Sequence, residues 1–240
     1  RRIIDTPVGE VAVRLRRGSN GAVLHIHSPG QAPLPVAVLQ VDARTQIAVE
    51  LPGHAGSAEI TAPLTVETMQ TALCAVLEDV VPGQAVAVQA YEAAAAYVAD
   101  LAAYLGARLT EVALHRPWLL QADECACLLA RLPDPALHAA GGHMAEAWQW
   151  ERERHLLWPW LPASAAARRL VAAPDAAQVH ANVVELLRLG AQLPLVFAGV
   201  AVADTGLRLS ALRVPVTVHA DAQEDYQGRS AALVAGLAAR

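Results

Sequence analysis

In the stretch VAVQAYEAAAAYVADLAAYLGARL, Val86 to Leu109, the chain passes from a strand rhythm to a helix rhythm, and Tyr91 and Glu92 stand at the bend. A strand that turns sharply into a helix is a place where enzymes mount a nucleophile, yet this bend offers no Ser, Cys or Asp. A carboxylate there has two chemistries open to it. It can attack an electrophilic carbon and form an ester, or it can move a proton as a general acid or base beneath an apolar cover. A structural role stands beside these, because negative charge is favoured at a helix N-terminus.

Histidines are the other proton carriers. His25 and His27 alternate along one strand and point to opposite faces, so only one of them can reach a cavity. His115 ends a later strand, and His143 and His155 lie on either side of MAEAWQWERER. No two histidines have the i, i+4 spacing of a helical metal site, so no metal and no cofactor is expected. Cys125 and Cys127 share one helix and Cys74 lies in another; this pattern suits buried thiols in a reducing cytoplasm rather than a disulfide framework.

The elements that must position these groups come from a core-rich composition. Of the 240 residues, 55% are hydrophobic and 17% charged, which argues against disorder and for a large buried core. Net charge is −5, and all 18 basic residues are Arg. No basic stripe interleaves with aromatics, so nucleic acid is not an expected partner. No apolar run reaches the roughly 18 residues a membrane span needs, and no signal-peptide pattern opens the chain.

RRIIDTPVGEVAVRLRRG reads as two strands around Pro7-Val8-Gly9, and GAVLHIH and TQIAVEL as further apolar strands. TVETMQTALCAVLEDV has helical spacing with Thr65 as N-cap. Ala85 to Gln89 is then a strand with a helix running to about Leu105, and LTEVALHRP is another buried strand. From Trp118 to about Ala203 the pattern is helical. VPVTVHA restores a strand and GRSAALVAGLAAR a helix. Strands alternating with helices imply an α/β fold, a mainly parallel sheet covered on both faces.

This pattern resembles the α/β-hydrolase family over nearly the whole chain. LHIHSPG resembles the family's His-Gly loop, VELPGHAGS its Asp-Leu-Pro-Gly-His-Gly-x-Ser loop with Glu50 and Ala55 as departures, and LRVPVTVHADAQED the strand and loop that deliver its acidic residue. Setting LAAYLGARL against the family's helix after the nucleophile elbow puts Glu92 in the nucleophile slot, with Ala90 and Ala94 in the two small positions. A shifted register would seat Tyr91 there, but Gln89 would then occupy a position that needs a small residue.

The resemblance implies a core of residues 1–117 and 204–240 and a helical cap over 118–203. It also implies oxyanion donors at Ser28 and Ala93, and acid candidates at Glu224 and Asp225, with Asp221 close by. The resemblance also implies a catalytic His beyond a further strand; the sequence given reaches Arg240 before that strand, so either a His-bearing C-terminal segment lies outside it or the general base has been lost. His27, Tyr91, His115, Trp118, Trp148 and Trp150 are the expected substrate contacts. Trp148, Trp150, Trp158 and Trp160 concentrate aromatic surface in the cap, which suits an apolar or ring-containing ligand. Two functions follow: a divergent hydrolase-type enzyme using Glu92 on a small apolar or aromatic molecule, or a non-catalytic pseudo-hydrolase that binds a ligand or partner chain. A homodimer or partner chain is expected to cover the sheet edge at Val214 to Ala220.

Overall fold

In a computed structural model of the chain, residues 1–34, 43–134, 137–157, 168, 174–201, 204–220 and 228–239 are described. β1 (Arg2–Thr6) and β2 (Gly9–Arg16) form the expected hairpin, its turn at Pro7-Val8. β3 (Ala22–Ile26), β4 (Thr45–Val49), β5 (Val86–Tyr91), β6 (Leu109–His115) and β7 (Val216–His219) follow. The sheet order is β1-β2-β4-β3-β5-β6-β7. β1, β2 and β4 pair antiparallel, and β4, β3, β5, β6 and β7 run parallel. Every residue of β3 and β4 is buried, the continuous apolar run of central strands covered on both faces. At the far edge β7 pairs with β6, and among the described residues no strand pairs with its outer side.

α1 (Val66–Val80) starts where expected. Thr65 accepts from the Thr68 amide and the Thr68 hydroxyl accepts from the Thr65 amide, a reciprocal cap of the type that contributes about 1 kcal/mol. Its stripe Met69, Leu73, Val76, Leu77 and Val80 enters the core at helical spacing.

After β5 the chain does not enter an α-helix at once. Glu92–Tyr97 forms 3₁₀ turns, and only then α2 (Val98–Leu105) begins. The run AAAA there is wholly buried, and these small side chains let the turn press against the sheet.

Between β6 and β7 lie α3 (Ala122–Ala130), α4 (Gly142–Leu156), α5 (Ala176–Leu189) and α6 (Leu193–Phe197), followed by α7 (Thr205–Leu209). α8 (Arg229–Ala238) ends the described chain and packs on β7. Among the described residues from Trp118 to Ala201 the regular elements are helices, as the sequence pattern implied, apart from one isolated bridge between Leu157 and Arg168. No described helix is long and apolar enough to cross a membrane.

α4 departs from an ordinary amphipathic helix. Its inward face is Ala147, Trp150, Glu151 and Arg154, an i, i+3, i+4, i+7 stripe whose last two members are charged. Burying two charges is costly unless each is paired, so this face must meet partners elsewhere.

Candidate functional site at the elbow

Parallel strands set their carboxyl ends side by side, and the register decides which residues stand together there. Ile26 pairs with Ala90, so Ser28 and Glu92 lie two residues beyond matched positions on neighbouring strands. Tyr91 pairs with His115 and His115 with His219. Three residues at these ends hold a left-handed backbone without being glycine: Ala55 at φ 46°, Glu92 at φ 50° and Arg116 at φ 51°. Each such residue costs about 1–2 kcal/mol, and they persist only where their surroundings over-determine them. Glu92 is therefore at the tip of a strained elbow. Its carbonyl accepts from the Trp118 amide, and the Arg116 amide donates to the His219 carbonyl, which ties the turn after β6 to both neighbours.

The Glu92 side chain is buried and both of its oxygens are engaged. Gln31 Nε2 donates to Oε2 at 2.6 Å, and an Arg154 terminal nitrogen donates to the same oxygen at 2.7 Å. Arg116 approaches Oε1 at 3.2 Å. The carboxylate thus meets charged and amide side chains from three other parts of the chain.

Arg154 reaches down from α4 and spends its other two nitrogens on Glu151, at 2.5 Å and 2.6 Å. Glu151 also accepts from Asn182 on α5 and contacts His155. Asn182 in turn accepts from the Ala32 amide and from Gln178. The two charges on the inner face of α4 thus meet their partners in a chain running from the elbow through α4 to α5. Burial works to raise the Glu151 carboxyl, but Arg154, His155 and Asn182 outweigh it and hold the group down at about 2. For Arg154, burial opposes the charge, and Glu92 with Glu151 more than restores it, pushing the guanidinium above its ordinary value.

A cavity of about 500 Å³ lies over this chain. Gln31, Tyr91, Arg116, Arg154, His155 and Asn182 line its elbow side and α4 side. Ala32, Pro33, Leu34 and Ala181 add an apolar strip, and His27 and Gln178 complete the wall.

His27 and Tyr91, both expected contacts, therefore border the cavity, while His115, Trp118, Trp148 and Trp150 are not in its wall. Trp118 and Trp150 are buried in the core, and Trp148 is 39% exposed beside Met144 on the outer face of α4. Trp158, Trp160, Asp221, Glu224 and Asp225 lie outside the described residues.

The expected histidines are occupied by structure. His27 Nδ1 donates to the Ser28 carbonyl and Nε2 accepts from the Leu51 amide. His54 does the same for the neighbouring loop, donating to the Pro52 carbonyl and accepting from the Gly30 amide. These hydrogen bonds assign both rings the neutral tautomer with the proton on Nδ1. The rings meet edge to face, 5.0 Å between centroids. Burial lowers His54 to about 4 and drives His27 well below the usual histidine range.

His115 stacks between Tyr91 and His219, with centroids 4.5 Å and 4.7 Å away. Burial, with His219, His25 and Arg116 nearby, lowers it to about 4. Ser28 is fully buried and its Oγ has no hydrogen-bond partner among the described residues; Ala93 is buried in the turn after Glu92.

Sequence reasoning missed Arg154, Glu151, Arg116, Gln31 and Asn182. A signal for the first two was present: Glu151 and Arg154 stand at i, i+3 on the same face as Ala147 and Trp150. It missed Glu50 as well, which fills the family loop's Asp position. Glu50 is fully buried and bonds Arg1, Arg14 and the Gly56 amide. Burial pushes its carboxyl up, and those partners pull it below its ordinary value. Among the described residues no group of three or more His, Cys, Asp or Glu is placed to hold a metal ion.

No family model matches the sequence, and no curated protein matches it. Solved structures match its architecture closely. An esterase from Thermogutta terrifontis superimposes with a TM-score of 0.66 at 15% identity, covering 98% of this chain and 86% of that one. A hydrolase from Pseudomonas aeruginosa PA01 gives 0.66 at 17% identity over 99% and 85% of the two chains. The enol-lactonase from Burkholderia xenovorans LB400 gives 0.66 at 16% identity over 98% and 87%. The chain has the α/β-hydrolase fold, as its loop motifs implied.

Proposed function

We propose that this chain is a non-catalytic member of the α/β-hydrolase fold. It binds a small polar molecule in the cavity over the elbow, beneath a lid built from the helices between β6 and β7. One observation carries this reading: both oxygens of Glu92 are engaged, Oε2 by Gln31 and Arg154 and Oε1 by Arg116. A nucleophile must direct a lone pair at its substrate, and acyl transfer also needs a base within hydrogen-bond reach of it. Among the described residues, His27 and His54 spend both ring nitrogens on backbone groups, and His115, stacked between Tyr91 and His219, makes no hydrogen bond to Glu92. Seven of the twelve residues lining the cavity carry an amide, guanidinium or imidazole, so the site offers a ligand polar partners beside its apolar strip, where the tryptophan-rich sequence suggested apolar contacts alone.

A second reading keeps Glu92 as nucleophile or acid–base group, with the amides of Ser28 and Ala93 as oxyanion donors. The retained strain at φ 50° favours it, because such strain clusters at active sites. Turnover of p-nitrophenyl acetate, read together with intact mass, separates the two. On the binding reading, wild type and Glu92→Gln hydrolyse the ester at the same background rate, with no burst and no adduct. An acyl group trapped on Glu92, or turnover lost in a folded Glu92→Gln variant, overturns it in favour of the enzyme.

A further inference from the structure

We infer that the cavity takes an aromatic carboxamide, its flat ring laid against Tyr91 and its amide matched by Gln31 and Gln178; this deepens the ligand-binding reading and rests on it. The orientation of the two glutamines follows from the acids beside them, because a carboxylate can only accept. Glu92 takes the nitrogen end of Gln31, Nε2 donating to Oε2 at 2.6 Å, which leaves the Gln31 oxygen as the uncommitted end. Glu151 takes the nitrogen end of Asn182, so the Asn182 oxygen is the acceptor for the Ala32 amide at 3.1 Å and for Gln178 Nε2 at 3.2 Å. Gln178 is therefore oriented in the same sense, its nitrogen given to Asn182 and its oxygen uncommitted. Among the described residues neither glutamine oxygen has a hydrogen-bond partner, and both glutamines border the cavity. Each carboxamide nitrogen carries two N–H groups and gives one, so each glutamine keeps one acceptor and one donor. A primary amide presents the same two groups in return.

Tyr91 supplies the flat surface. It is half-buried, borders the cavity and ends β5, where it pairs with His115 of β6. The His115 ring covers one face of the phenol, with centroids 4.5 Å apart and planes 9° apart, and His219 backs His115 at 4.7 Å and 12°. The phenol hydroxyl donates to Gln89 Oε1 at 3.2 Å. The ring is thus held in tilt and in direction, and the side it can offer a ligand is the one that His115 does not cover. Aromatic pairs contribute beyond the area they bury, and a ring already held in place loses little freedom on binding, so a flat ring is favoured over a puckered one of the same size. Pro33, Leu34 and Ala181 supply apolar wall around it, and about 500 Å³ accommodates a single substituted ring.

Benzamide, N,N-dimethylbenzamide and cyclohexanecarboxamide, titrated calorimetrically into the whole chain near neutral pH, test the inference. Benzamide is expected to bind about tenfold more tightly than N,N-dimethylbenzamide, which keeps the ring and the carbonyl but has no N–H to donate. It is expected to bind about fivefold more tightly than cyclohexanecarboxamide, which keeps the amide but has no flat ring. In Tyr91→Leu the preference over cyclohexanecarboxamide shrinks to within about twofold while the other persists. In Gln178→Met the preference over N,N-dimethylbenzamide shrinks to about threefold while the ring preference persists. Both variants should keep the circular dichroism spectrum of wild type, and the two wild-type ratios decide the matter if a variant does not fold. Equal binding of benzamide and cyclohexanecarboxamide overturns the stacking on Tyr91, and equal binding of benzamide and N,N-dimethylbenzamide overturns the amide match; either result leaves the ligand site standing. A ratio unchanged in the folded variant aimed at it overturns the role of that residue. Saturable binding of none of the three overturns the inference, while the non-catalytic reading is decided separately by the ester turnover and intact mass.

Discussion

Replacing Arg154 by Met removes the cation at the centre of the buried chain while keeping a flexible side chain of similar length in its place. Glu151 is then left with a side chain 1% exposed and no guanidinium, and Glu92 keeps only Gln31 and the half-exposed Arg116 among the contacts described above. Two routes give the size of the loss. The Glu151 carboxyl lies at about 2 against an ordinary 4.5, and at 1.36 kcal/mol per unit its interactions contribute about 3 kcal/mol. Breaking a buried ion pair from one side costs about 3–5 kcal/mol in measured cases, which agrees.

The pH dependence has a definite sign. A carboxylate whose folded value is depressed contributes fully above 4.5, and the contribution fades as pH falls towards 2. Urea unfolding followed by circular dichroism should show Arg154→Met less stable than wild type by about 3 kcal/mol near pH 7. The deficit should narrow as pH falls, first above 4.5, where burial without the guanidinium lets the variant's Glu151 take a proton, and then below 4.5 as the wild-type contribution fades. A loss below about 1 kcal/mol, the level of an exposed pair, or a deficit that ignores pH would refute the buried chain.

Two further outcomes follow from the loops. Ala55→Gly relieves a left-handed residue at φ 46°; setting about 1–2 kcal/mol of relief against about 0.5–1 kcal/mol of added chain entropy gives a slightly more stable protein, and a lower urea midpoint would contradict this. His54, held at about 4 by burial, should show no imidazole titration by NMR across about pH 5–8. Because its folded value lies below the ordinary 6.5, the stability it contributes is complete above 6.5 and is lost as pH falls towards 4. A midpoint near 6.5 would mean the ring is not locked between Pro52 and Gly30.

The alternation of Val11, Val13 and Leu15, the unbroken apolar runs of β3 and β4, and the Thr65 cap were all legible in the sequence because each is a local pattern with a fixed period. The small residues around Glu92 likewise announced a tight turn, since sterics at such a bend act within a few positions. What the Glu92 carboxylate does there was not legible. Its partners Gln31, Arg116 and Arg154 stand 61, 24 and 62 positions away in the chain; the pairing of β3 and β6 with β5 brings the first two, and α4 over the sheet ends brings the third. In sequence, WERERH places charges all round a helix; in the fold, Glu151 and Arg154 sit on the inward stripe beside Trp150. Which of several charged residues is buried depends on the rotation of a helix about its axis, and that is set by the neighbours it meets. The chain's local rhythm thus determined the strands, the turn and the acid at its tip. The tertiary structure decided that this acid would be held between two arginines, because charge pairing over long sequence separations depends on three-dimensional proximity and leaves no periodic trace.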